Sequence, residues 1–151
     1  EDFHAGLAPV PPPLAQLNPL PFVPPMPAFT QHFQYYPCLG AMPFGGQDAT
    51  ETGGWLVSPG MHGVGDTALI VALLDAWFPA WLVRMDHLVT MATVSFHAQF
   101  QAPWGAVSGS EPVVIRNTSD VAVGGYATEY NKLWASDGRL LACAQQLLAL
   151  L

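Results

Sequence analysis

From Asp66 to Val83 the chain reads DTALIVALLDAWFPAWLV, apolar on every side except at Asp75. A segment that is hydrophobic all round is a buried helix. Ala, Leu and Ile supply the helix tendency, Pro79 sets an end near Phe78, and Asp66 or Thr67 can cap the start. Gly60, Gly63 and Gly65 keep the incoming loop close to the helix. A carboxylate inside such a helix is costly unless it is partnered or used. Asp75 is therefore the first residue that asks for a chemical explanation.

Around this helix the pattern switches to strands. Ala28 to Met42 is aromatic-rich and reads as a first strand, with Pro37 marking an edge or a bulge. Gly54 to Ser58 reads as a short second strand. After the helix, Met91 to Gln101 alternates. Ala92, Val94, Phe96, Ala98 and Phe100 fall on one face, with Met91, Thr93, Ser95, His97, Gln99 and Gln101 on the other. Pro112 to Thr118, Gly124 to Ser136 and Arg139 to Leu150 follow as strands, and Asp137-Gly138 is a hairpin turn signal. In the last strand Gln146 is a lone amide in the row Leu140, Ala142, Ala144, Leu148 and Leu150, while Gln145 points the other way. One helix wrapped by an antiparallel sheet is an α+β, hot-dog arrangement. Residues 1–27 hold most of the prolines and read as an extended linker or arm, leaving 28–151 as the folded domain. Leu14, Leu17, Leu20 and Phe22 are too apolar for a purely solvated tether, which allows an arm laid across a partner domain.

Composition narrows the functional classes. The 151 residues suffice for one domain with its own core. With 51% hydrophobic and 10% charged residues the chain is not disordered, and part of its apolar surface is expected to be covered by a partner. A net charge of −7 with four basic residues argues against nucleic acid and against an anionic membrane surface. The core helix reads as too short, and too interrupted by Asp75 and Pro79, to cross a membrane. Cys38 and Cys143 form no disulfide framework or metal spacing, which fits a reducing, cytoplasmic setting. The sequence opens at Glu1 without a signal-peptide pattern, as at a cut end. The five histidines show no metal-ligand spacing, and His87 and His97 read as solvated. Ser58 and Ser95 lack a GxSxG elbow. The five tryptophans, Trp104 among them, read as core and interface.

Several runs carry a family resemblance: PFGG at 43–46, GGW at 53–55, ALIVALLDAWFPA at 68–80, ATVSFHAQF at 92–100 and GGYATEYNKLWASDGRLLACAQQL at 124–147. They resemble the acyl-CoA thioesterase II-like family, whose double hot-dog fold joins two hot-dog halves by a linker. The likeness covers the C-terminal half and the linker, from about residue 9 onward. The resemblance implies a hydrolytic site of a helix Asp, a strand hydroxyl and a last-strand Gln that orient a water, falling here on Asp75, Thr93 and Gln146. Ser95 is the alternative hydroxyl, and Gln145 the alternative amide. Backbone N–H groups at Gly63 and Gly65 are candidates for an oxyanion site at the helix start. The expected partners are an acyl thioester and a second hot-dog half, either an N-terminal fragment or a homodimer mate, with no cofactor. The rival readings are a non-catalytic hot-dog subunit that holds a ligand or a shape, and a hot-dog hydratase, for which no Asp/His pair is evident on the loop into the helix.

Overall fold

The computed structural model describes residues 8–63, 65–101 and 108–151, so Trp104 lies outside the described residues. The expected helix forms as α1, Thr67–Ala76. Asp66 is its cap, accepting a hydrogen bond from the Leu69 N–H at 2.9 Å. The helix ends two residues before Phe78, and the chain re-coils after Pro79 as a 3-10 turn, Ala80–Arg84. Thr67–Arg84 as a whole is long and apolar enough to cross a membrane by length and composition, which the sequence reading had denied it. It is the break at Trp77–Pro79 and the packing of both pieces onto the sheet that make it a core element.

The sheet wraps one side of α1. Its strands are β1 (Gln34–Gly40), β2 (Glu51–Val57), β3 (Met91–Phe100), β4 (Val113–Thr118), β5 (Ala122–Val123), β6 (Tyr126–Ala135) and β7 (Leu140–Leu150). The order is β1-β2-β4-β6-β7-β3, with the short β5 alongside β6 and every pair antiparallel. Leu69, Ile70, Leu73 and Leu74 pack against Leu56, Ile115, Leu133 and Leu141 to form the main core. Tyr35 closes it by donating its hydroxyl to the Ala76 carbonyl at 3.0 Å, one of the carbonyls left free at a helix end. The GGW run owes its glycines to crowding: a Cβ on Gly53 would lie 2.4 Å from the Ile115 carbonyl oxygen, and one on Gly54 2.1 Å from that of Tyr36. Pro37 sits where sequence reasoning put it, on the edge strand β1 and at a bulge between Pro37 and Leu39.

Two expectations are corrected. The helix is not buried all round: Ala68, Ala72 and Asp75 form an exposed row, because the sheet covers only the opposite side. The faces of β3 are not those of a straight alternation. Thr93 pairs with Leu148 and Ser95 with Leu147, leaving Val94 as an extra residue in the strand. A bulge of one residue shifts everything before it to the other face. Thr93 therefore shares the inner face with Phe96 and Ala98, and Val94 is left 55% exposed.

The proline-rich arm lies on the chain's own domain. The Leu20 N–H donates to the Tyr35 carbonyl at 2.7 Å, Trp55 Nε1 donates to the Pro12 carbonyl at 2.9 Å, and Leu20 packs on the main core.

Candidate active site

Asp75 stands in the last turn of α1 and opens onto a cavity of about 540 Å³. Thr93 of β3 and Gln146 of β7 line the same cavity. The structure thus brings together all three residues singled out in the sequence. Thr93 Oγ1 donates to Gln146 Oε1 at 3.3 Å, which leaves the Gln146 Nε2 as a donor for a further group. Asp75 has no protein hydrogen-bond partner among the described residues. It is exposed on the helix, yet the surrounding apolar walls desolvate its carboxyl and push its pKa above the usual carboxylate range. That corrects the fully buried Asp expected from the helix pattern.

The rest of the cavity is apolar. Trp77, Phe78 and Leu82 supply the wall below Asp75, and Met91 and Leu148 the sheet side. The end of the arm closes a third side with Met26, followed by Phe29 and the buried Thr30 of a 3-10 turn, Ala28–His32, where the aromatic pattern indicates the start of a strand. The Thr30 hydroxyl donates to the Pro27 carbonyl at 2.7 Å. Phe44, from the PFGG run, reaches the cavity from a backbone at φ +61°, a conformation unusual for a residue other than glycine. Its N–H is held by the Leu82 carbonyl at 2.8 Å. A volume of this size with few polar groups suits one small, largely apolar ligand.

Other candidates lie elsewhere. Gln145 is exposed and pairs across to His97, and these two share a separate shallow depression with Ser95. The amide that lines the Asp75 cavity is Gln146, 4% exposed, and of the three threonines there, Thr30, Thr90 and Thr93, it is Thr93 that bonds it. Gly63 and Gly65 precede the start of α1, about 12 Å along its axis from Asp75 at 1.5 Å per residue. They do not line the Asp75 cavity. His87 is exposed, with Nδ1 2.7 Å from the Asp86 carboxylate. Among the described residues no group of three or more His, Cys, Asp or Glu is placed to hold a metal.

Sequence reasoning passed over a polar band beside this cavity. Glu129 of β6 is the cross-strand neighbour of Gln146 and is fully buried. Its carboxylate accepts from the Ala80 N–H, from Asn131 Nδ2 at 3.0 Å and from Asn117 Nδ2 at 3.3 Å. Burial pushes its pKa up to about 7 against those donors, with the Asp75 charge adding to the rise. The signal was present: Ala127, Leu133 and Ala135 set the inner row of β6, and Glu129 and Asn131 occupy the same parity.

The family model for the acyl-CoA thioesterase C-terminal domain matches residues 6–150. The chain belongs to this family. Its fold is shared with solved structures at low identity. A hot-dog protein of unknown function from Alicyclobacillus acidocaldarius superposes with a TM-score of 0.83 at 22% identity, covering 100% of this chain and 57% of that one. The TesB protein of Mycobacterium avium subspecies paratuberculosis gives 0.74 at 17% identity, covering 100% and 56%. The acyl-CoA thioesterase II TesB2 of Mycobacterium marinum gives 0.73 at 17% identity, covering 100% and 58%. No curated protein matches the sequence. This thioesterase-family chain thus spans little more than half the length of the solved structures it resembles. Within the family domain, the hot-dog sheet and helix are what carry Asp75, Thr93 and Gln146 to one cavity.

Proposed function

We propose that this domain is the hydrolytic half of an acyl-thioester hydrolase, in which Asp75 activates a water held by Thr93 and Gln146. The observation that carries this reading is that the Asp75 carboxylate and the hydrogen-bonded Thr93–Gln146 pair, from three separate elements, line one largely apolar cavity. Asp75 takes a proton from the water, and the water oxygen attacks the thioester carbonyl carbon. The tetrahedral intermediate collapses with cleavage of the C–S bond. The proton held by Asp75 passes to the leaving thiolate, giving a free acid and a free thiol. A raised pKa improves Asp75 as a base and sets the low-pH limb of the rate, since only the ionised carboxylate can accept the proton. The acyl chain occupies the wall of Met26, Phe29, Trp77 and Phe78. A second hot-dog half completes the assembly over the exposed row of α1.

Hydrolysis of an acyl-CoA series by the wild type and by Asp75→Asn tests this. The expected outcome is a loss of 10²- to 10⁴-fold in the folded variant. Equal turnover by both proteins contradicts it.

One observation favours a second reading, a ligand-holding half without chemistry. Arg84, Arg116 and Arg139 are engaged by Asp48, Glu51 and Asp137, and among the described residues no cationic side chain lines the cavity. On that reading an acyl ligand binds, and no thioester is cleaved.

A further inference from the structure

The hydrolytic scheme leaves Glu129 without a role, although it is a fully buried carboxyl one strand away from Gln146. Two of its three hydrogen bonds concern one piece of backbone. It takes the Ala80 N–H directly, and it holds the Asn117 amide, whose Nδ2 also donates to the Phe78 carbonyl at 3.2 Å. Residues 78–80 form the corner at which α1 gives way to the 3-10 turn. Phe78 and Pro79 line the cavity, three and four residues beyond Asp75. The Glu129 carboxyl and Asn117 thus tie this corner to the sheet, beside the Tyr35 hydroxyl on the Ala76 carbonyl and the Trp77 Nε1 on Thr52 Oγ1.

We propose that Glu129 is a positioning residue of the Asp75 site, fixing the Phe78–Ala80 corner against the sheet in a manner that depends on its protonation. The carboxylate form accepts all three N–H groups. The neutral acid is a weaker acceptor and has a proton of its own to place, and Asn117 Oδ1 and Asn131 Oδ1 are buried acceptors without a hydrogen-bond partner among the described residues. Turning one asparagine amide to receive that proton withdraws one donor from the carboxyl and loosens the corner. The groups facing Glu129 are Asp75 from α1, Asn117 from β4, Asn131 from β6, Gln146 from β7 and the Ala80 N–H from the 3-10 turn. Asp75 alone among these carries charge. With a Glu129 midpoint of about 7, the corner tightens across neutral pH. The consequence for turnover rests on the hydrolytic reading above, whereas the hold on the corner does not.

The test is an amide NMR titration of the protein from pH 5 to 9, with turnover measured over the same range. The Ala80 amide proton should move with a midpoint near 7, and Glu129→Gln should abolish that movement. The asparagine oxygens can receive the new NH₂ group, so this variant is expected to fold. Should it not fold, Glu129→Asp, one methylene too short to reach Ala80, replaces it with the same expectation. In the hydrolysis assay kcat should rise through the same midpoint. Glu129→Gln should lose that inflection and about 10²-fold in kcat at high pH, with KM little changed. A merely structural Glu129 lowers the melting temperature and leaves the profile intact. A flat Ala80 resonance in the wild type, a titration that persists in the variant, or an unaltered rate and profile in the variant overturns the proposal. Ala80 titrating as expected without hydrolysis of any acyl thioester overturns the hydrolytic reading and leaves the hold on the corner standing.

Discussion

At the residue scale the site consists of polar groups set in apolar rows. Asp75 and Gln146 were legible in the sequence because each interrupts an apolar pattern. Glu129 and Asn131 interrupt one too, but the aromatic and charged residues that alternate with them, Tyr130 and Lys132, make the strand look polar throughout. The depth of each group was not legible. The pattern placed Asp75 in a buried helix, whereas only one side of the helix is covered. Glu129 carries the clearer pH dependence. Its folded pKa is raised from 4.5 to about 7. A raised carboxyl contributes stability that is fully present below pH 4.5 and is lost as pH rises through about 7. The loss is of the order of 3 kcal/mol. Urea unfolding at several pH values should therefore show the wild type losing stability relative to Glu129→Gln between those limits, and parallel curves contradict the buried, raised carboxyl.

At the element scale the bulge in β3 decides the site. A straight strand puts Thr93 on the outer face with His97 and Gln99, which is what strict alternation indicates. The extra residue Val94 turns Thr93 inward to Gln146. Period-two reasoning has no means to find a bulge, because the residue that makes it is an ordinary valine. Because Val94 is the surplus residue, deleting it should leave Thr93 opposite Leu148 and Ser95 opposite Leu147 in an unbroken ladder, with Thr93 still facing the cavity and turnover largely retained. Val94→Ala, which keeps the residue count, should leave turnover unchanged. Loss of activity in either folded variant contradicts the role of surplus residue given to Val94. The arm shows a similar limit of sequence reading. Its prolines indicate an extended chain but not what the chain lies against, and Pro25 and Met26 prove to be wall residues of the cavity.

At the scale of the whole molecule, the order of helix and strands along the chain was legible, the order of strands within the sheet was not, and the family follows from residues 6–150. The open surfaces are informative. β3 is an edge strand that pairs only with β7 among the described residues, and the row Ala68, Ala72 and Asp75 is exposed. An unprotected edge beside an apolar helix face favours association. The expected outcome is a stable dimer at micromolar concentration, with itself or with an N-terminal hot-dog half, read by light scattering. A chain that stays monomeric without a bound partner contradicts it.

The central claim is that Asp75 and Gln146 hold one water in one site. A double-mutant cycle on thioester hydrolysis measures this directly. Asp75→Asn and Gln146→Ala should each lower turnover, and the double variant should lose far less than the product of the two losses, because residues that act as a unit are strongly non-additive. Gln145→Ala, on the opposite face, should be silent. Multiplicative losses, or a sensitive Gln145 with a silent Gln146, contradict the account.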